Sequence, residues 1–336
     1  MGKGIAVAGD MVLDILKVIS GFPERHGLVR IEEKSYALGG AVNNTGRDLA
    51  ALDAQLPVQL IGMIGKDGEG DEILRALAAY KNIDTSMVLR EGQTSFTDVL
   101  TEKQSRARTF LFYGGANDQF DVSHVDVQKL DCALFHIGYI LLLNALDRED
   151  AVYGTRMARL LHDVQARGIL TSVDVVSEVG DRYKTLVPPA LKYTDYFIVN
   201  EIEAGKTVDL SLRGEREQLL TERIPEVLKR LRALGVRRWI VVHAPEGGFG
   251  LDEAGNYVAL PSLALPEGFI VGTVGAGDAF CAGVLHAAYQ GESLEQGIKD
   301  GIAAAACSLR GADASKSMRP IEEVRALYDE MPKQVL

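Results

Sequence analysis

From about residue 125 onward, short apolar runs alternate with segments of helical periodicity. This rhythm confines the chain to an α/β fold with a mostly parallel central sheet and helices on both faces. The runs occupy 132–138, 169–174, 196–199 and 239–242, and the helical segments 150–166, 184–192 and 216–234. A further run, 4–9, opens the chain. Buried parallel strands read as unbroken apolar stretches, and their carboxyl ends form the edge at which open α/β sheets bind ligands. The polar residues that follow these runs, Asp10 and Asp14, Asp174, and Asn200 with Glu203, are therefore expected along one edge.

Two segments break the rhythm. Residues of about 15–38 and 93–114 have period two in place of 3.6, which predicts a small antiparallel β-sheet inserted twice into the main domain as a lid. No linker rich in Pro, Gly or Ser, no repeat and no low-complexity tract divides the chain, so residues 1–336 are expected to form a single domain.

Charge narrows the partners. With 47 acidic against 36 basic side chains the net charge is −11, and no long Lys/Arg cluster is present, which argues against nucleic acid or an anionic membrane. No run of about eighteen apolar residues exists to span a membrane. The opening strand meets Asp10 too early to form a signal-peptide core, so a cytoplasmic protein is expected. Cys132, Cys281 and Cys307 lie far apart among apolar residues and read as reduced, buried thiols.

Chemistry concentrates at Gly272-Thr273-Val274-Gly275-Ala276-Gly277-Asp278. Residues 269–271 read as a strand end and 279–289 as a buried helix. The small residues between them leave backbone N–H groups open to an anion at a helix start. Asp278 at that start reads either as a helix cap or as a general base beside an anion hole of Gly275, Ala276 and Gly277. Gly39 and Gly40 precede a second helical pattern whose first turn carries Asn44. Some features are decoys: Gly205-Lys206-Thr207 lacks the leading Gly of a P-loop, no Gly-x-Gly-x-x-Gly follows the first strand, and His136, His162, His243 and His286 lack metal-ligand spacing.

The 272–278 stretch resembles the second signature of the ribokinase-like (PfkB) sugar and nucleoside kinases, Asp-Thr-x-Gly-Ala-Gly-Asp. Gly39-Gly40-Ala41-Val42-Asn43-Asn44 matches their first signature, Gly-Gly-x-x-x-Asn, and Asn200-Glu201-Ile202-Glu203 their Asn-x-x-Glu. Residues 64–71 fit a further recurrent stretch, Gly-x-Asp-x-x-Gly, which reads as a structural turn. The resemblance implies ATP-dependent phosphorylation of a primary hydroxyl of a small sugar. It assigns Asp14, Gly39, Gly40 and Asn44 to the sugar. Apart from the resemblance, Arg108 reads either as a lid contact to a carboxylate or phosphate of the substrate or as a lid-surface arginine that needs no partner. Asn200 and Glu203 would organise Mg2+, Glu203 through water. Thr273 and the loop Ala244, Glu246 and Gly247 would meet the nucleotide, and 303–306 with Arg310, Gly311 and Ala312 would line the adenine pocket. A homodimer through the lid is implied as well.

Three departures stand out. Gly272 replaces the Asp through which many members bind an activating monovalent cation, leaving that requirement open. Ala244 replaces the first Gly of the nucleotide loop, and only Asp174 survives from an Asp-x-Asn-x-Arg that many sugar kinases carry. A nucleoside kinase and a non-catalytic sugar-binding protein on the same fold remain alternatives.

Overall fold

The computed structural model describes residues 4–105, 107–311, 313 and 315–336. Strand β1 (Ile5–Gly9) runs into β2 (Val12–Ile19) and β3 (Ile31–Gly39), followed by α1 (Ala41–Leu52), β4 (Val58–Ile64), α2 (Gly68–Leu77) and β5 (Ile83–Arg90). Next come β6 (Ser95–Glu102), β7 (Arg108–Tyr113), β8 (Leu134–Ile140), the short pair β9 (Glu149–Asp150) and β10 (Gly154–Thr155), and α3 (Arg156–Gln165). Then follow β11 (Leu170–Val175), α4 (Tyr183–Leu191), β12 (Tyr196–Asn200), α5 (Glu201–Val208), α6 (Ile224–Ala233) and the strands β13 (Trp239–Ala244), β14 (Gly247–Leu251) and β15 (Tyr257–Pro261). Helices α7 (Ala276–Gln290), α8 (Leu294–Ser308) and α9 (Ile321–Glu330) complete the chain.

Nine strands form the central sheet in the order β15-β14-β13-β12-β11-β8-β1-β4-β5, parallel from β13 to β5, with β14 and β15 antiparallel at one edge. The pleat of β1 shows why its residues are apolar throughout: Ile5 and Val7 enter the core beneath α1, α7 and α8, while Ala6 and Ala8 enter the core beneath α3 to α6. Among the described residues, no helix is long and apolar enough to cross a membrane.

The two insertions build a separate four-stranded sheet, β3-β2-β6-β7. Each is an antiparallel hairpin, and the two are joined by a parallel pairing of β2 with β6. Asp14 on β2 thereby lies opposite Thr97 on β6 and Ala37 on β3.

Some expected boundaries shift for local reasons. The helix expected over 216–234 starts at Ile224, where Pro225 supplies a preset first turn, and the residues before it form a small bridge between Arg213 and Leu219. That expected over 150–166 starts at Arg156, because Thr155 caps it by accepting from the Ala158 N–H at 3.1 Å. Residues 269–271 are not a strand: the sheet ends at β15, and Ile270 and Val271 stay exposed in an irregular connection to α7.

The entry into α1 sets the shape of the acidic edge. A Cβ on Gly39 would lie 2.8 Å from Asp14 Oδ2, and one on Gly40, whose φ is +87°, would lie 2.6 Å from the Asp10 carbonyl oxygen. Side-chain-free residues thus let α1 settle onto Asp10, whose Oδ1 accepts from Ala41 N at 3.0 Å and whose carbonyl accepts from Val42 N at 3.2 Å. Burial pushes the Asp10 carboxyl up to about 8, against the lowering pull of the Ala41 N–H, with Asp278 adding to the rise.

A native carboxyl that keeps its proton to about pH 8 while the unfolded one releases it near pH ~4 loses its stabilising contribution as pH rises through that window. Asp10→Asn retains an acceptor for Ala41. It is expected to flatten, in part, the fall of Tm between about pH 5 and about pH 8. A variant whose Tm declines as steeply as that of the parent protein would refute the assignment.

Candidate active site

The site assembles where α7 begins. Gly275, the residue before the helix, has φ +79°, a left-handed conformation that glycine adopts without steric cost. No side chain caps α7; the N–H groups of its first turn have no acceptor within the helix and sit at the positive end of the dipole, with Ala276 N donating to the Thr273 carbonyl at a long 3.5 Å. Asp278 does not cap this helix either. Its Oδ1 accepts from the Tyr139 hydroxyl at 2.5 Å and its Oδ2 from Asn44 Nδ2 at 3.0 Å. The side chain is thus turned toward β8 and α1, with the residue only 7% exposed. Burial raises its pKa, and the donors Tyr139 and Asn44 work against that rise.

Next to it stands the first signature. Asn44 is buried, and its Oδ1 has no partner among the described residues, leaving an acceptor beside the carboxylate. Asn43 ties the turn together, donating to the carbonyls of Val12 and Gly39 at 3.3 and 2.8 Å. Gly39 and Gly40 pack on Asp14 and Asp10 as described, so their role in the fold is close approach between the lid strand, β1 and α1. Asp14 is half-buried; burial pushes its carboxyl up to about 6, with Thr97 opposing and Asp313 adding to the rise. Arg108 is not brought to this group. It pairs with Thr101, whereas the strand position opposite Thr97 is Phe112, four residues and roughly 13 Å along β7.

On the other side of the helix start lies a cleft of about 580 Å³, lined by Ala244, Thr273, Ala276, Gly277, Phe280, Ala305 and Ala306 among others. Its walls are largely apolar. The His243 ring packs on Phe280 with centroids 4.7 Å apart, and burial holds its pKa down at about 4, so it is neutral at ordinary pH. Glu246 and Gly247 do not line the cleft. Glu246 is drawn into an ion pair with Arg213, at 2.5 and 2.9 Å, which also binds Glu201 at 2.6 Å. Gly247 pairs in the sheet, where a Cβ would lie 2.5 Å from the Leu260 carbonyl oxygen. Arg310 packs over the Phe269 ring at 4.6 Å, while Ala312 lies outside the described residues.

Asn200 and Glu203 form a reciprocal cap on α5. Asn200 Oδ1 accepts from the N–H groups of Ile202 and Glu203, and Glu203 Oε2 accepts from Asn200 N at 3.0 Å. Glu203 Oε1 accepts from the Ser177 hydroxyl and from Asn200 Nδ2, both at 2.7 Å. Burial lifts the Glu203 carboxyl to about 7, while Asp174 is pushed well above the carboxylate range by burial, then by facing Glu203 and Asp278. Tyr139, Asp10 and Asp174 thus join the site without having been given a role in it from sequence. Asp10 and Asp174 carried a usable signal, an acid at the end of an apolar run; Tyr139 carried none.

The decoys resolve as structure. Lys206 donates to the Glu178 carbonyl at 2.5 Å and covers the Tyr183 ring, His136 shares a buried hydrogen bond with Ser172, and the three cysteines are buried.

Comparison with known proteins bears on the family and the fold. The family model described as pfkB family carbohydrate kinase matches residues 3–321. The chain is 25% identical to mouse ketohexokinase over 315 residues, covering 93% of this chain and 98% of that one. Among solved structures, Arabidopsis thaliana ribokinase complexed with ribose and ATP superposes with a TM-score of 0.78 at 20% identity, covering 98% of this chain and 99% of that one. The nucleoside kinase of Methanocaldococcus jannaschii gives a TM-score of 0.74 at 19% identity, with 98% and 100% covered. A family match of that length, carried on a fold shared from end to end with sugar and nucleoside kinases, means that the chain belongs to the pfkB family of carbohydrate kinases.

Proposed function

We propose that this kinase transfers the γ-phosphoryl group of ATP to a primary hydroxyl of a small neutral sugar, with Asp278 as general base. The observation that carries the reading is the position of Asp278: a buried, doubly hydrogen-bonded carboxylate at a helix start whose N–H groups are open to an anion. ATP occupies the apolar cleft with its terminal phosphate over Gly275, Ala276 and Gly277. The sugar lies between Asp14, Asn44 and the lid. The basic side chains of α1 and β2 are engaged elsewhere, Arg47 with Asp313 and Lys17 with Asp98, which favours a neutral acceptor over a sugar acid or sugar phosphate.

Phosphoryl transfer asks for positioning and charge stabilisation more than for covalent chemistry. Asp278 takes the proton of the acceptor hydroxyl, and the helix-start N–H groups hold the charge on the transferred group. Glu203 and Asn200 fit Mg2+ at the distance of a water: both Glu203 oxygens already accept hydrogen bonds, and the acid opposite them, Asp174, is unrelieved by any cation among the described residues. When bound there, the metal would offset the charge of the phosphate oxygens.

The lid also supports a homodimer. Phe110, Leu111, Phe112 and Tyr113 are consecutive and exposed on its edge strand, an arrangement that a second copy of this chain would cover.

ADP release with Mg-ATP, measured in sodium and in potassium across free sugars, sugar acids, sugar phosphates and nucleosides, tests the reading. One neutral sugar is expected to turn over. Asp278→Asn should lower that turnover roughly 10²–10⁴-fold with little change in ATP affinity; near-wild-type activity in the variant would remove Asp278 from its role. Turnover on nucleosides alone would move the assignment to a nucleoside kinase, and thermal shifts without turnover would point to a sugar-binding protein. Sedimentation should show a dimer that Phe110→Asp with Phe112→Asp converts to a monomer, and a monomeric parent protein would sink the lid interface.

A further inference from the structure

Tyr139 is the element of the site that the transfer, as described so far, does not use. It lies near the carboxyl end of β8, and burial is the first cause that holds its phenol in the neutral, donating form. The hydroxyl donates to Asp278 Oδ1 at 2.5 Å, the shorter of the two hydrogen bonds that the carboxylate accepts. Two donors from two different elements, one on each oxygen, fix both the direction and the plane of the carboxylate.

The surroundings make that donor matter. Asp10 beyond β1, Asp174 on β11 and Asp48 on α1 all face Asp278, as does the Cys281 thiol on α7 itself. Thr45 on α1 faces it too, without a hydrogen bond of normal geometry. Among the described residues, no lysine or arginine pairs with it. A carboxylate in acidic, water-poor surroundings with no counter-ion takes up a proton unless hydrogen-bond donors stabilise its charged form. A protonated Asp278 cannot accept the proton of a sugar hydroxyl.

Building on the proposed role of Asp278, we infer that Tyr139 is a positioning residue for the phosphoryl transfer, holding the Asp278 carboxylate ionised and aimed at the acceptor hydroxyl. Its ring does not carry this role. Only the hydroxyl does, so Tyr139→Phe, which keeps the ring, isolates it.

The test reads the carboxyl directly. In full-length protein labelled with carboxyl-13C aspartate, the Asp278 resonance is identified by its loss in Asp278→Asn and titrated in the parent protein and in Tyr139→Phe. The midpoint should move to higher pH in the variant. The acidic limb of kcat/KM on the accepted sugar should move the same way, and kcat should fall about 10- to 100-fold with KM for ATP unchanged. Tyr183→Phe, which removes a hydroxyl bonded to the Val176 and Glu178 carbonyls, should leave both midpoints in place.

If Tyr139→Phe does not fold, 3-fluorotyrosine at position 139 carries the test. It keeps the contact and strengthens the donor, so the Asp278 midpoint should move to lower pH. Midpoints unmoved in the variants that fold would overturn the inference. A panel without any turnover would defeat the kinase reading instead, and the titration would still decide whether Tyr139 governs Asp278.

Discussion

The site rests on one unfavourable placement: the carboxylate of Asp278 is buried, ringed by other acids and not neutralised by any lysine or arginine among the described residues. Desolvation alone would favour the neutral acid. Hydrogen bonds from Tyr139 and Asn44 oppose it, and both donors are distant in sequence, on β8 and α1. The placement therefore requires that three elements meet at one point, and much of the chain's local chemistry serves that meeting. Gly39 and Gly40 let α1 descend onto Asp10 and Asp14. Gly275 turns the backbone so that α7 starts at the edge of the sheet, and the dense packing of α7 against α8 fixes its axis.

The same edge collects acids from several strands, and burial pushes each the same way. Asp10 rises to about 8, Glu203 to about 7 and Asp14 to about 6, with Asp174 well above the ordinary range. Such a set is costly to ionise together without ligands. On the proposed reading, the occupants of the site bring hydroxyl donors and cations, and an acceptor with a further negative charge is disfavoured. On the same reading, the acidic edge and the apolar cleft discriminate between sugar and nucleotide before any single contact is considered.

Much of this was legible in the sequence because it is local. Unbroken apolar runs gave the parallel strands, period-two patches the small second sheet, and glycine next to helical patterns the two helix starts. The irregular segment 269–271 was misread because an apolar, β-branched triplet looks like a strand whether or not a partner edge exists. Asn200 and Glu203 were ambiguous for a different reason: the residues of a reciprocal helix cap have the same spacing as those of a metal-organising pair. Glu246 followed its family loop in sequence, but Arg213, brought in by a bridge that no local pattern announces, draws it into an ion pair. Tyr139 was invisible, since its partner is 139 residues away and a tyrosine at the end of an apolar strand is ordinary.

Helical geometry explains how a single turn of α7 presents two different faces, one to the apolar cleft and one to Asn44 and Tyr139. Successive residues are rotated by roughly 100° about a helix axis, so positions three apart share a face and the two residues between them point away from it. Gly277 and Phe280 share the face that lines the apolar cleft. Asp278, one position on, is rotated toward α1 and β8, where Asn44 and Tyr139 receive it. The N–H groups of the first turn lie at the end of the helix, between those two faces. On the proposed reading, the phosphoryl group is therefore held at the one place from which it can be reached from both sides, and neither Asp278 nor the cleft can be displaced along the helix without separating base from donor.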